Sequence, residues 1–472
     1  MDLLGIDVGT SIAKAVLFDD SGQVVRSASR PITLLHPEHG HVEQDVDELM
    51  REVRSAVSEV TAGGARPSLV AITGQGDGCW LVDDRGQPVR TAISWMDARS
   101  AGIVDDWSQD GTAAKIYSVN GNAVFSGSMA PVLAWLDRHE PRSLDLAATA
   151  AHCKDVVFQQ FTGLRATDDS DASLPFGVPE GGTYSADVLR LTGLAHRADL
   201  LAPVVAPLPI APNRTDLLPA SAVVTSGPFD LPACAVGGGV DRPGDGLLII
   251  GTTLGCQVLT ERLDTSGAPS GMHVTSGPGR WMRVMAAMSG CSALDWVLDL
   301  TGMRHESLDA ILGTSSPGAS GVEVLPHLAP SGERAPVLDQ KASGQFTGVR
   351  LTTTPADLVR ATCEGLAYTA RECFEAAGLT GRVVVCGGGA RSRAWLEIFA
   401  SVLGRPLHVA RSPEVGARGA VLAALRATGA DPDTAAWTRP ESVVEPVPAL
   451  VRRYEDGYLR FLRHRDAARL MA

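Results

Sequence analysis

Apolar and polar positions follow one another in two periods along this chain, and their order predicts a mixed α/β protein. Leu3, Leu4 and Ile6 lead into Asp7-Val8-Gly9-Thr10-Ser11, and Ala13, Ala15, Val16, Leu17 and Phe18 lead away, the pattern of a buried strand that turns through Gly9 and returns beside itself. After a turn at Gly22, Val24 to Arg30 reads as a third strand. From Val46 to Thr61 apolar residues recur at 46, 49, 50, 53, 57 and 60, a one-sided helical stripe. Leu69 to Thr73 is a buried strand, with shorter strands at Trp80 to Val82 and Ala92 to Trp95. Helical patterns cover about Ala101 to Tyr117 and Met129 to His139, and His152-Cys153-Lys154-Asp155 begins a helix that ends at Thr162-Gly163.

Prolines at 203, 207, 209, 212, 219, 228 and 232 interrupt the next stretch and put a domain boundary near Leu231 to Ala233. Beyond it the chain predicts a strand from Ala233 to Val236 and a glycine turn before Val240 and Asp241. Leu247 to Leu259 then repeats the opening pattern, an apolar strand, a Gly251-Thr252-Thr253 turn and a second apolar strand. A strand from Met282 to Ala286, a helix from Leu294 to Leu300 and a loop over 327–336 follow. Helices at Pro355 to Ala377, Trp395 to Leu403 and from Glu414 onward frame the strand Val383 to Cys386, and an amphipathic helix closes the chain. The expected organisation is two α/β domains, 1–232 and 233–440, with a helical tail over 441–472.

At 472 residues the chain exceeds what one hydrophobic core supports, which agrees with two domains. Its net charge of −13, with no basic patch, argues against nucleic acid and anionic membranes as partners. Eight cysteines lie scattered without C-x-x-C spacing, so reduced thiols are expected rather than a disulfide framework or zinc site. No signal peptide precedes the hairpin and no apolar run reaches the ~18 residues that span a bilayer, so a cytoplasmic protein is expected.

The first turn offers a carboxylate, Asp7, the Thr10 and Ser11 hydroxyls and backbone N–H groups around Gly9. Such a turn can nest an anion while Asp7 holds a hydrated Mg2+ that bridges a polyphosphate, or it can be an ordinary hairpin whose acid and glycine only shape the bend. The second copy favours phosphate chemistry and suggests two homologous domains facing one nucleotide. In Gly74-Gln75-Gly76-Asp77-Gly78, glycines flank an amide and a carboxylate, the groups that bind vicinal hydroxyls. Trp95 can floor a polyol, and Asp97 with Arg99 can bind its hydroxyls or each other. Asp241, past a glycine turn and just ahead of the second hairpin, stands where a general base facing the γ-phosphate would stand, though a turn aspartate fits the glycines equally well. His36, His39 and His41 crowd together, but without a carboxylate at ligand spacing they read as a loop before the helix. Gly387-Gly388-Gly389 before a helix allows close approach of a flat or anionic ligand.

Together these stretches resemble the FGGY carbohydrate kinases of the actin-like ATPase superfamily, from Leu3 to about Leu425. The most specific match is Gly344-Gln345-Phe346-Thr347-Gly348-Val349 with Asp357 to Glu364, where Cys363 replaces a larger apolar residue. Gly387 to Ser392 with Trp395, and Gly332-Glu333-Arg334, also match, whereas Val132 stands where a lysine is usual. The resemblance implies a two-domain, ribonuclease H-like fold and an ATP- and Mg2+-dependent kinase for a small sugar or polyol; it also admits a homodimer. By that likeness Asp7 organises Mg2+, Thr10 and Thr252 or Thr253 contact phosphates, and Gly388 and Gly389 lie against the adenosine. Gly9, Ser11, Gly251 and Ser392 complete the ATP-binding set, and Asp241 is the base beside an acceptor held by Gln75, Asp77, Trp95 and Asp97. Gly76-Asp77 departs from the Arg-Glu pair of glycerol kinases and the Met-His pair of xylulose kinases. Thr73 to Gly78, His152-Cys153-Lys154-Asp155 and Arg165 to Ser173 look most like erythritol kinases, which makes a tetritol the first expected acceptor and a pentulose such as xylulose the second. A sugar sensor on the same fold would add a helix-turn-helix, and a nucleotide hydrolase of the actin kind would not need Gln75 and Asp77. Arg242 departs from the usual Asp-Gln or Asp-Asn pair, and whether Lys154 and Asp155 touch ligand or cap their helix stays open at the level of sequence.

Overall fold

The computed structural model describes residues 2–177, 183–277, 279–329, 332–339 and 341–470. It forms two compact units that are discontinuous in sequence: 1–239 with 261–282 and 414–438, and 240–260 with 283–413 and 439–472. Pro330 and Ser331 of the predicted loop lie outside the described residues. Among the described residues no helix is long and apolar enough to cross a membrane.

The first unit is built on a six-stranded sheet in the order Val24–Pro31, Ile12–Phe18, Leu3–Val8, Leu69–Gly74, Val223–Ser226, Ile210–Pro212. Leu3–Val8 runs antiparallel to its hairpin partner and parallel to Leu69–Gly74, so it is paired on both sides, and all of its residues but Asp7 are buried. Leu4, Ile6 and Val8 face one core with Leu49, Val53 and Val57 of the helix Val46–Thr61 and Val156, Val157 and Phe161 of the helix Cys153–Thr162. Leu3, Val16 and Phe18 face the other side, where the helix Val415–Ala427 supplies Ala417, Val421 and Leu425. Burying each such aliphatic side chain is worth about 1.5–3 kcal/mol, so the central strand is pinned from both faces.

The sequence reading fails at one point that matters below. Residues 233–236 are not a strand: they lie inside the helix Asp230–Gly238, closed by Gly239 in the left-handed conformation. That helix crosses Val415–Ala427 at Gly237 and Gly419, where a Cβ on either residue would collide with the backbone of the other helix. Two smaller differences are local. The predicted helix 101–117 is two helices, Ala101–Gln109 and Thr112–Asn120, broken at Gly111 with φ +81°, and the strand at Ala92 stops at Ile93.

The second unit repeats the plan. Leu254–Thr260, Gly246–Ile250, Val383–Cys386, Leu407–Val409 and Ser442–Val444 lie side by side, with Gly246–Ile250 antiparallel to its hairpin partner and parallel to Val383–Cys386. The 23-residue helix Pro355–Ala377 starts at a capping box formed by Thr354 and Asp357 and buries Val359, Cys363, Leu366 and Phe374 in the core of this unit. Pro448–Arg469 is the closing helix, its buried residues Tyr454, Tyr458 and Phe461 recurring at helical spacing.

Candidate active site

Asp7 occupies the last turn-side register pair but one of the first hairpin, opposite Lys14. Burial pushes its carboxyl up to about 6, against the lowering pull of Lys14 and with a further push from Glu414. Lys14 turns instead to Glu414, 3.1 Å away. The first turn of the helix Val415–Ala427 leaves room for Asp7 because position 416 is glycine; a Cβ there would overlap the carboxylate. Among the described residues no donor is hydrogen-bonded to the Asp7 carboxylate.

The predicted acceptor residues Gln75 and Trp95 are brought together, and through Thr10. The Thr10 hydroxyl donates to Gln75 Oε1 at 3.0 Å and accepts from Trp95 Nε1 at 2.8 Å. Gln44 closes a ring: it accepts from Gln75 Nε2 and donates to the Thr10 carbonyl, both at 2.8 Å. Thr10 therefore belongs to the acceptor-side lattice as well as to the turn, a link that spacing alone does not reveal. Asp77 follows with φ +56°, a conformation rare for a residue with a side chain, and borders a small cavity with Asn122, Phe125, Ser128, Leu174 and Met272. The Asp97 carboxylate is engaged within the protein. Its buried carboxylate binds Arg99 Nε at 2.9 Å and the Val42 N–H at 2.6 Å, so it clamps two loops.

The remaining nucleotide candidates are placed as follows. The Gly9 N–H donates to the Ile12 carbonyl at 3.0 Å and the Gly251 N–H to the Thr253 carbonyl at 3.1 Å, so both are spent closing their turns. Ser11 and Thr252 are exposed beside them and Thr253 is partly so. Gly388 is exposed, while Gly389 is buried against Ile250 and Trp395 behind it. Ser392 is the N-cap of the helix Arg393–Leu403, accepting from the Trp395 N–H at 3.1 Å and donating to Asp309. Its hydroxyl is a structural cap.

Asp241 lies apart from the first hairpin in sequence and in burial. It lies exposed on the loop after Gly239, next to exposed Arg242, with Arg382 Nη2 at 3.4 Å. The acid that faces Asp7 electrostatically is Asp230, in the first turn of the helix Asp230–Gly238. Burial raises its carboxyl well above the ordinary range, and the Asp7, Asp171 and Asp77 carboxylates raise it further. Sequence reasoning missed it because 233–236 was read as a strand. Pro232 in a first turn and Gly239 just past the last one mark a helix opening at Asp230.

Behind this acid lies a buried charge cluster. Lys154 Nζ is 2.6 Å from Asp155, 2.8 Å from Asp168 and 3.1 Å from Asp171, and His152 Nδ1 is 3.5 Å from Asp155. Lys154 and Asp155 are thus neither exposed to ligand nor mere helix caps.

The N-terminal domain model of the FGGY family of carbohydrate kinases matches residues 3–212 and the C-terminal domain model matches 246–428. An erythritol kinase of Brucella abortus is 30% identical over 100% of this chain and 96% of its own length. A xylulose kinase of Klebsiella pneumoniae is 30% identical over 88% of this chain and 87% of its own. The crystal structure of a xylulose kinase from Rhodospirillum rubrum superposes with a TM-score of 0.88 at 28% identity, covering 100% of this chain and 99% of that one. With two matched domain models and a full-length relative in hand, the chain belongs to the FGGY family of carbohydrate kinases and is an ATP-dependent sugar or polyol kinase of that family.

Proposed function

We propose that the protein transfers the γ-phosphoryl group of ATP to a hydroxyl of a small sugar alcohol, an erythritol-like tetritol or a related polyol. The observation that carries this reading is the cavity beside Asp77: it is small, and apart from Asp77, Asn122 and Ser128 its walls are apolar or alanine, which suits the end of a short acceptor. The full-length likeness to an erythritol kinase supports it. A pentulose of the xylulose type is the second reading, favoured by relatives such as the Klebsiella pneumoniae xylulose kinase.

In this scheme Gln75 and Trp95, locked by Thr10 and Gln44, position the acceptor, and Asp77 binds its hydroxyls. Asp230, in place of Asp241, accepts the proton of the attacking hydroxyl; a carboxylate made more basic by its surroundings is better suited to that task. Thr252 and Thr253 bind phosphate oxygens, and the exposed Gly388 backbone lies against the adenosine. Asp7 suits a divalent cation, because among the described residues its desolvated carboxylate has no hydrogen-bond donor and its charge is felt by a second buried acid, Asp230. Mg2+ held there would neutralise charge on the transferring phosphoryl group.

The test is ADP release over a panel of erythritol, threitol, xylitol, glycerol, ribulose and both xyluloses, with Asp230→Asn and Asp241→Asn measured side by side. Strong turnover with one tetritol, lowered about 10³-fold by Asp230→Asn and left intact by Asp241→Asn, is expected. Turnover confined to a pentulose selects the second reading, and ADP formation indifferent to every acceptor sinks both.

A further inference from the structure

The four residues ahead of Asp230 are each held by a group with no part in the chemistry above. Ser226 Oγ donates to Asp155 Oδ1 at 3.1 Å. Gly227, at φ +99°, brings its backbone so close to Asp168 that a Cβ would lie 2.6 Å from the carboxyl carbon. The Pro228 carbonyl accepts from Thr73 Oγ1 at 2.7 Å, and the Phe229 N–H donates to Ser170 Oγ at 3.1 Å. Ser170 is itself fixed by Asp168, whose Oδ2 accepts the Ser170 N–H at 3.1 Å. Two of these hydrogen bonds, at Ser226 and Phe229, therefore depend on Asp155 and Asp168, while the Gly227 N–H donates to the Ile72 carbonyl at 2.8 Å. Both of those carboxylates end on the ammonium of Lys154.

Lys154 has no solvent exposure. Burial alone would discharge it, but the carboxylates of Asp155, Asp168 and Asp171 hold it protonated, with a pKa well above its ordinary value. Conversely, without the ammonium these buried carboxylates would repel one another and could not share this small volume. The donor atoms of His152, Asp155 and Asp171 also lie within 4.8 Å of one another, close enough for a metal ion. The ammonium already bridges two of those carboxylates, so a cation there would have to displace it.

We propose that Lys154 is a positioning residue for Asp230: through Asp155 and Asp168 its ammonium fixes the backbone of residues 226–229, and with it the direction of the Asp230 carboxylate. The inference rests on the reading of Asp230 as the base. A general base must come within about 3 Å of the proton it takes, and a misplacement of about 1 Å costs roughly 10²-fold in rate. A lysine that touches neither substrate nor nucleotide can thus govern kcat while leaving ground-state binding alone.

The experiment uses the full chain and two kinds of variant. Lys154→Met removes the ammonium, and the double variant Ser170→Ala with Ser226→Ala cuts the cluster from the 226–229 backbone while leaving every buried charge paired. For each, kcat, both KM values and the thermal midpoint are measured, alone and combined with Asp230→Asn, using high enzyme concentration for residual turnover. A fall in kcat of about tenfold for the serine pair and about 10²-fold for Lys154→Met is expected, with KM for ATP unchanged and no further loss in the Asp230→Asn background. If Lys154→Met does not fold, the serine pair decides. Wild-type kcat in the serine pair, or the same fold-loss with and without Asp230→Asn, overturns the positioning role alone. Wild-type kcat in Asp230→Asn overturns the base and this inference together.

Discussion

The two hairpins share one frame and differ at its tip. In each, a central strand pairs antiparallel with its return and parallel with a later strand. Next to the last register pair, the first hairpin sets Asp7 opposite Lys14, and the second sets Ile249 opposite Gly255. In the first turn the side chains of Gln44, Gln75 and Trp95 gather around Thr10, and the Ile32 N–H donates to the Ser11 carbonyl at 2.9 Å. In the second the start of the helix Cys291–Thr301 takes their place: the Gly290 and Cys291 N–H groups donate to the Thr252 and Gly251 carbonyls at 3.0 and 2.7 Å, and Ser292 Oγ donates to the Thr252 carbonyl at 2.8 Å. A turn without an acid does not repel a polyphosphate, and a turn with a desolvated acid invites a cation. On the proposed reading, one supersecondary unit serves two electrostatic tasks through a single register position.

The sharpest way to break the comparison is at that position. Asp7→Asn should lower kcat by about 10²-fold or more with the protein still folded, whereas Ile249→Val, its counterpart, should change turnover less than about twofold; ADP-release kinetics on both variants checks it. The hydroxyls come next. Thr252→Ala should raise KM for ATP about tenfold and spare KM for the acceptor, and Thr10→Ala should do the reverse, because its hydroxyl sits in the Gln75 and Trp95 lattice. Equal effects of the two substitutions on both KM values would erase the distinction between the hairpins.

The hairpins also differ in what they do to stability. The Asp7 carboxyl is raised from 3.8 to about 6, so the folded chain holds a proton that the unfolded chain releases between those values. Stability contributed there is present below about pH 4 and lost as pH rises through about 6, by up to about 3 kcal/mol at 1.36 kcal/mol per unit. Thermal scans without divalent metal should therefore show Asp7→Asn unfolding a few degrees above the wild type at pH 7 and not at pH 4. Adding Mg2+ at pH 7 should raise the wild-type midpoint and leave the variant's unchanged.

What sequence could reveal followed from how local each signal is. The helices Val46–Thr61 and Met129–His139 keep the limits their apolar stripes predict, because the period and the end residues both lie in the segment. Ala233-Cys234-Ala235-Val236 is a short apolar run that suits strand or helix equally, and reading it as a strand moved attention to Asp241 and past Asp230. Asp97 shows the same limit. Spacing leaves its pairing with Arg99 open; the structure makes that pair at 2.9 Å and adds the Val42 N–H, which arrives from 55 residues away. The Lys154 cluster joins residues from three segments, and no window of the chain contains it.

The helix Val415–Ala427 belongs to the first unit although it is among the last segments of the chain, and that bears on the order of synthesis. Leu3, Val16, Phe18 and Leu69 leave the ribosome early, yet the residues that cover them, Ala417, Val421, Leu425 and Trp437, arrive near the end. Until then one face of the central sheet stays uncovered, and Gly237 waits for Gly419. The apolar face of these strands therefore lacks its cover while the intervening chain is made, a window in which holdase chaperones or premature termination would decide its fate.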